Sequence, residues 1–216
     1  MTATITKNDR FYWVGTPPKP HVRVTEALSI IRQPWLEHWR GSVGNEEADR
    51  RRDEASELGT EVHAACAAVL RNEWIAVAGW TPEQELMLEA FRSWANQAVE
   101  QVHDIEATVI SERWQYGGTP DLLITLRGER LPQVWDIKTG ADSPLHALQT
   151  AAYLAALREG GRKLSRVRGR LALRKGADAG RSVVTRFQDP QDEAHFLYAL
   201  ALWRRFHPDW QNGGRT

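Results

Sequence analysis

Three charged residues occupy strand-like segments in which apolar side chains would pack better. Asp121 begins the first segment, and Asp136 and Lys138 belong to the second. An antiparallel hairpin with its turn centred on Gly128 and Glu129 places position 121 opposite position 136. Opposite side chains have Cβ atoms about 4.5–5.5 Å apart, so the two carboxylates would repel each other without a cation. Because alternate residues share a face, Lys138 is predicted to project beside them.

This predicted cluster suits a hard divalent cation. Paired carboxylate oxygens are ligands for Mg²⁺ or Mn²⁺, which keep several waters and also bind phosphate oxygens. A bound water becomes more acidic, and a nearby lysine can orient it or offset charge as a phosphodiester is attacked. In the structural alternative, Asp121 begins a strand after Pro120, and Asp136 and Lys138 form a surface ion pair. These residues alone leave both interpretations open.

The helices and strands that must position the cluster can be predicted from the spacing of apolar residues, which changes along the chain. Residues up to about Arg23 are predicted to be irregular, and helical patterns follow, including one over 81–102 that opens with a Thr-Pro start signal. From Ile105 the period is that of strands, interrupted by a predicted helix over 145–158. A last amphipathic helix is expected to begin near Asp189. This order predicts one α/β domain with a mixed sheet.

Composition narrows the class of protein. The chain has 216 residues, a formal net charge of zero and one cysteine, Cys66, which excludes a disulfide framework and a cysteine-based zinc site. It contains neither a signal-peptide pattern nor an apolar run of membrane length, so a cytoplasmic protein without a membrane partner is expected. Positive charge is concentrated from Arg158 to Arg186, where any surface for a polyanion should lie.

Ten tryptophans are many for this length. Packing is the favoured explanation, because Trp is chiefly a core and interface residue. The alternative is base stacking in a channel for single-stranded nucleic acid, with Trp13, Trp35 and Trp39 near the N-terminus as candidates.

The Asp121 and Asp-x-Lys pattern, with Pro120 before it, resembles the signature of the PD-(D/E)XK nuclease superfamily. Three further elements resemble its RecB-like branch, which includes phage and recombination exonucleases. They are a Gly-x-x-x-His element ending at His63, an Asp-x-Lys-Thr-Gly element starting at Asp136, and a Gln-x-x-x-Tyr element from Gln149 to Tyr153. The segment VTEALSIIRQPWLEHW also resembles the leader segment of phage-encoded members. The resemblance covers about residues 24–153.

The resemblance implies a restriction-endonuclease-like core, a mixed central β-sheet flanked by helices, with an N-terminal helical extension. It divides the chain into an extension (1–57), a nuclease core (58–188) and a C-terminal helix (189–216). It implies that His63, Asp121, Asp136 and the Ile137 carbonyl hold Mg²⁺ or Mn²⁺, and that Lys138 is catalytic. Glu112 is a further candidate, either as a ligand of a second metal ion or as a residue that contacts the metal ligands from behind. In the alternative it is a solvated glutamate on a strand.

Further residues are candidates for contact with DNA. Gln149 and Tyr153 lie four apart on one helix face, where they would touch a phosphate, hold the lysine loop or be ordinary surface residues. Arg166, Arg168 and Arg170 alternate with Val167, Gly169 and Leu171. This arginine face would either contact phosphates or protect an edge strand from pairing, and phosphate contact is favoured.

The resemblance implies a metal-dependent DNA exonuclease that leaves 5′-phosphate and 3′-hydroxyl ends and works in phage biology or in DNA recombination and repair. DNA is the expected partner, with a recombination protein considered as a second, and the host cytoplasm is the expected location if a phage encodes the chain. One alternative is an endonuclease that cuts junctions, flaps or internal sites with the same residues. An alternative of another class is a non-catalytic DNA-binding protein.

Overall fold

The computed structural model describes residues 5–212, which form six α-helices and ten strands. The helices are α1 (Val24–Leu28), α2 (Pro34–Val43), α3 (Asn45–Arg71), α4 (Pro82–Ala98), α5 (Leu145–Glu159) and α6 (Asp192–Phe206). The strands are β1 (Ile5–Lys7), β2 (Phe11–Val14), β3 (Lys19–Arg23), β4 (Val99–Ile105), β5 (Val109–Ser111), β6 (Tyr116–Gly118), β7 (Leu122–Leu126), β8 (Gln133–Lys138), β9 (Arg168–Leu173) and β10 (Ser182–Phe187).

The strands form two mixed sheets of five strands each. The first has the order β1-β2-β3-β6-β5, and the second has the order β10-β9-β8-β7-β4. The pairs β3–β6 and β8–β9 are parallel, and the other neighbours are antiparallel. Helices flank the sheets, which confirms the predicted mixed α/β fold with a restriction-endonuclease-like core. Within residues 5–212, no helix combines the length and apolar character that crossing a membrane requires.

The N-terminal segment corrects one prediction. Residues 5–23 form three strands where an irregular segment was expected, and Phe11, Tyr12 and Val22 are buried in them. The prolines at the turn exclude a helix but not a β-hairpin, and the apolar run FYWV was a strand signal. Because β3 adds to β6 in parallel, these strands are part of the first sheet. The division of the chain at residue 57 stays a prediction, and α3 runs through that position.

Helix α4 begins as predicted but ends early. The Thr81 hydroxyl accepts a hydrogen bond from the Gln84 amide, and the Gln84 side chain accepts one from the Thr81 amide, which is the capping box expected of this start. The helix was expected to extend to Val102, but it ends at Ala98 and the chain continues as β4. Pairing with β7 stabilises the extended form of this stretch, so tertiary contacts override its helical pattern.

Strands β7 and β8 form the predicted hairpin. The register pairs Leu122 with Trp135 and Leu123 with Val134, so Asp121, just before β7, lies opposite Asp136. One face of the hairpin packs Trp135 with side chains of α3 and α4. The other face packs Val134 with side chains of α5 and α6. The acidic pair therefore sits where a well-anchored hairpin meets α5.

A close contact behind the hairpin gives a stability prediction. A Cβ added to Gly169 in β9 would lie 2.4 Å from the ring of Trp135, which is fully buried. We expect Gly169→Ala to lower the free energy of unfolding by about 1–3 kcal/mol, because the indole cannot move out of a packed core. Gly41→Ala is the matched control, since a Cβ there meets no atom within 4 Å among the described residues. Equal urea midpoints for the two variants would contradict the prediction.

Candidate active site

The acidic pair differs in burial between its two members. Asp136 is 2 % exposed, and its Oδ2 lies 2.7 Å from the Nζ of Lys138. Asp121 is partly exposed, and its Oδ2 accepts a hydrogen bond from the Ile137 amide at 2.5 Å. That bond attaches the Asp121 carboxylate to the backbone between the other two charged residues. The predicted grouping of two carboxylates and an ammonium on one face is therefore present.

His63 reaches the same cluster from α3. Its Nδ1 lies 3.3 Å from Asp121 Oδ1. The helix approaches the end of β8 closely at Gly59, where an added Cβ would lie only 3.2 Å from Thr139 Oγ1. Burial works to lower the pKa of His63, but the interaction with Asp121 outweighs burial and raises it above its usual value. The Gly-x-x-x-His spacing thus places a small residue at the contact and the histidine one turn later.

Burial makes the Asp136 carboxylate costly to ionise. Desolvation raises the pKa of Asp136 to about 6, an effect that the positive charge of Lys138 opposes and the negative charge of Asp121 reinforces. Burial works to lower the pKa of Lys138, but the negative charges of Asp136 and Asp121 raise it above its usual value. The side-chain amine therefore stays protonated at neutral pH. A cation added between the carboxylates would favour their ionised forms.

Gln149 and Tyr153 support Asp136 from α5. The Nε2 of Gln149 donates to Tyr153 Oη at 2.9 Å and, at a longer 3.4 Å, to Asp136 Oδ1. Tyr153 is 3 % exposed, and its ring covers Gly118 so closely that a Cβ there would lie 2.1 Å from Cε1. Neither residue is therefore an ordinary surface residue. Tyr153 is buried behind Gln149 and Asp136, and its contact with DNA stays a prediction.

The three arginines do not form one exposed face. Arg166 is exposed and precedes β9, whereas Arg168 and Arg170 are buried within β9, an interior strand between β10 and β8. Arg168 forms an ion pair with Asp192 of α6. The interior position of β9 removes the edge-strand explanation for these arginines, and the contact of Arg168 with phosphate stays a prediction that its burial and its ion pair do not support.

Arg170 lies beside the cluster. It is the register partner of Asp136, and it forms an ion pair with Asp142 at 3.1 Å and a hydrogen bond to Thr185 at 2.9 Å. Its positive charge acts on Lys138, whose pKa it works to lower. Arg170 therefore contributes to the electrostatics of the site from a buried position.

Glu112 lies at another part of the fold. Its carboxylate is exposed and pairs with His21 at 3.2 Å. The neighbouring Ser111 hydroxyl donates to Glu159 at the end of α5, ten residues beyond Gln149. At 1.5 Å per residue this separation is about 15 Å along the helix. We therefore leave Glu112 out of the proposed site.

His146 was missed in the sequence and lies beside Arg170. Its Nδ1 is 3.2 Å from an Arg170 guanidinium nitrogen. Burial lowers the pKa of His146 to about 4, helped by the charges of Lys138 and Arg170, so the ring is neutral at neutral pH. The signal was available, because His146, Gln149 and Tyr153 recur at helical spacing on one face of α5.

The donors at the acidic pair fit a hard divalent cation by their chemistry. Across residues 5–212, no group of three or more His, Cys, Asp or Glu side chains has the arrangement of a metal site. Asp136 Oδ2, however, is buried and has no hydrogen bond to any described residue, since its close contact with Lys138 lacks hydrogen-bond geometry. A buried carboxylate oxygen beside an ammonium and opposite a second carboxylate is the kind of hard oxygen ligand that Mg²⁺ or Mn²⁺ prefers.

The fold and the site are consistent with a nuclease, a hydrolase that acts on phosphodiester bonds. The family model of the PD-(D/E)XK nuclease superfamily matches residues 34–211, so the chain belongs to that superfamily. Nucleases of this superfamily generally use divalent metal ions. No curated protein was found to match the chain at a significant level of similarity.

Proposed function

We propose that the protein is a Mg²⁺- or Mn²⁺-dependent DNA exonuclease of the RecB-like branch. The observation that carries the proposal is the register of the β7–β8 hairpin, which brings Asp121 opposite Asp136 with Lys138 on the same face. Two apposed carboxylates repel each other, and the single ammonium of Lys138 offsets only one of their two charges, so a divalent cation between them would be favourable. The superfamily match supports the same chemistry.

Each residue of the cluster has a proposed role. Asp121, Asp136, His63 and the Ile137 carbonyl would hold the cation. When bound, the cation would lower the pKa of a coordinated water and neutralise charge on the scissile phosphate. Lys138 would orient the attacking water and offset the negative charge that develops on the phosphate. Gln149, in turn held by Tyr153, would keep the Asp136 carboxylate turned toward the substrate.

The exonuclease mode is supported by the resemblance to the RecB-like branch. The Gly-x-x-x-His, Asp-x-Lys-Thr-Gly and Gln-x-x-x-Tyr elements converge on one cluster, as that resemblance implies. The products would carry 5′-phosphate and 3′-hydroxyl ends. A role in phage biology or in DNA recombination and repair, with a recombination protein as partner in the host cytoplasm, belongs to the same proposal.

Digestion of end-labelled DNA tests this function. We expect linear single- or double-stranded DNA to be degraded in Mg²⁺ or Mn²⁺, with release of 5′-mononucleotides or short 5′-phosphorylated products. Closed circular DNA of the same sequence should persist, because an exonuclease requires an end, and a chelator should abolish cleavage. Gel electrophoresis of timed samples measures both.

Other results would select another function. Cutting of closed circular DNA at a comparable rate would indicate an internal-cutting endonuclease that uses the same residues. Binding of DNA without cleavage in either metal would indicate a non-catalytic DNA-binding protein.

A further inference from the structure

A groove of about 740 Å³ opens beside the acidic cluster. Lys138 and Gln149 line it, so it is continuous with the proposed catalytic residues. The facing wall comes from the end of α1, the segment joining α1 to α2, and the first turn of α2. Ser143 Oγ donates a hydrogen bond to Gln33 Oε1 at 3.1 Å, which joins the two walls. Whatever occupies the groove therefore lies next to the proposed site of cleavage.

The α1–α2 wall carries an exposed aromatic surface. Trp35 is 48 % exposed and Leu36 is 39 % exposed, and Leu28 and Ile31 extend the apolar lining. Other tryptophans confirm the packing explanation, since Trp94, Trp135 and Trp203 are buried in the two cores. Trp35 instead presents its indole to the groove that leads to Lys138. An exposed indole lining such a groove is suited to stacking against a flat ring.

The charge of the groove is modest for a site that would follow a DNA duplex. Its cationic side chains are Lys138 and Arg32, and both are paired, Lys138 with Asp136 and Arg32 with Glu37. The whole chain has a formal net charge of zero. Tracking of duplex DNA depends on many unpaired Lys and Arg contacts with phosphates. The groove is therefore better suited to a short stretch of nucleic acid held partly by stacking.

We propose that this groove binds unpaired nucleotides at a DNA end, with a base stacked on Trp35 and the adjoining phosphate near Lys138. The proposal rests on the proposed nuclease function, because it takes the acidic cluster as the point of cleavage. Within a duplex both faces of a base are covered by neighbouring base pairs. Only an unpaired or terminal base offers a free face to the indole, so the geometry points to single-stranded DNA ends as the substrate of this site.

Binding measured in chelator tests the proposal separately from cleavage. Fluorescence anisotropy of a dye-labelled single-stranded oligonucleotide is compared with that of the blunt duplex of the same sequence. We expect Trp35→Ala to weaken single-strand binding by at least about fivefold and to weaken duplex binding much less, because a blunt duplex exposes only the outer face of each terminal base pair. Trp35→Phe should retain most of the affinity, because it keeps an aromatic face. Trp74→Ala is the matched control, since Trp74 is 85 % exposed and lines a different cavity.

The outcomes separate this proposal from the nuclease function. Single-strand affinity that is undetectable in the unmodified protein, unchanged in Trp35→Ala, or lost equally in Trp74→Ala would overturn the groove assignment. If Trp35→Ala cleaves linear DNA in Mn²⁺ as fast as the unmodified protein, the nuclease function is supported and the groove assignment is not. If single strands bind in a Trp35-dependent way but are not cleaved in either metal, the groove assignment is supported and the nuclease function is contradicted.

Discussion

Replacing Lys138 by Ala should reduce the rate of DNA cleavage by at least about 10²-fold while the protein stays folded. The ammonium lies 2.7 Å from Asp136 Oδ2 and is the cation nearest to the acidic pair. In the proposed mechanism, its loss would remove the group that orients the attacking water and offsets charge on the phosphate. It would also leave Asp136 buried without its counter-charge, so that the pKa of this carboxyl rises further. Initial rates on end-labelled linear DNA at saturating Mn²⁺ measure the effect.

Lys163→Ala is the matched control for this prediction. Lys163 lies in an exposed loop after α5, and removal of its charge should leave the rate within about twofold, as for most surface changes. Thermal unfolding of both variants shows whether the fold is retained. Undiminished cleavage by purified, folded Lys138→Ala would exclude the proposed mechanism.

Addition of Mg²⁺ or Mn²⁺ should stabilise the protein, and the double replacement Asp121→Asn with Asp136→Asn should abolish this stabilisation. A ligand that binds only the folded state at 100 times its dissociation constant adds about 2.7 kcal/mol to the free energy of unfolding. For a chain of this length that corresponds to a rise in Tm of about 5–10 °C. The double variant keeps the size of both side chains but removes the charges that attract the cation. Differential scanning fluorimetry over a metal titration measures the shift.

Glu112→Gln is the control that shows whether the effect of metal on Tm depends on the acidic pair or on carboxylates elsewhere. Because Glu112 is paired with His21 at another part of the fold, this variant should keep both the metal-dependent rise in Tm and the cleavage rate. An equal rise in Tm in the double Asn variant would show that the cation binds elsewhere. Loss of the rise in Glu112→Gln would return this residue to the site.

The hairpin and its charges could be predicted because they depend on local rules. Alternation along a strand and the position of a polar turn together set the register that brings Asp121 opposite Asp136. The cap at Thr81 likewise marks the start of α4 from a few neighbouring residues. By contrast, the end of α4 depended on pairing between β4 and β7, a contact that no local pattern contains.

The remaining site predictions differ in outcome according to where the fold buries each residue. His63 and Gln149 became candidates through the resemblance to the motifs of the RecB-like branch, and the structure brings both to the acidic pair. The alternating arginines of β9 were predicted to form an exposed face. The strand instead lies inside the sheet, where Arg168 pairs with a residue of α6. Which face of a polar strand meets solvent depends on the elements packed over it, and those are distant in the sequence.

The sequence by itself determined the charged cluster of the proposed site, because residue type and short-range spacing specify two carboxylates, a lysine and the hairpin that aligns them. Only the tertiary structure decided which other polar residues join them. It buried Gln149 and Tyr153 beside Asp136, paired Glu112 with His21 at another part of the fold, placed His146 beside Arg170, and opened the groove beside Trp35. These outcomes depend on how α3, α5 and the α1–α2 segment pack around β8, and long-range packing is set by the summed burial of many side chains.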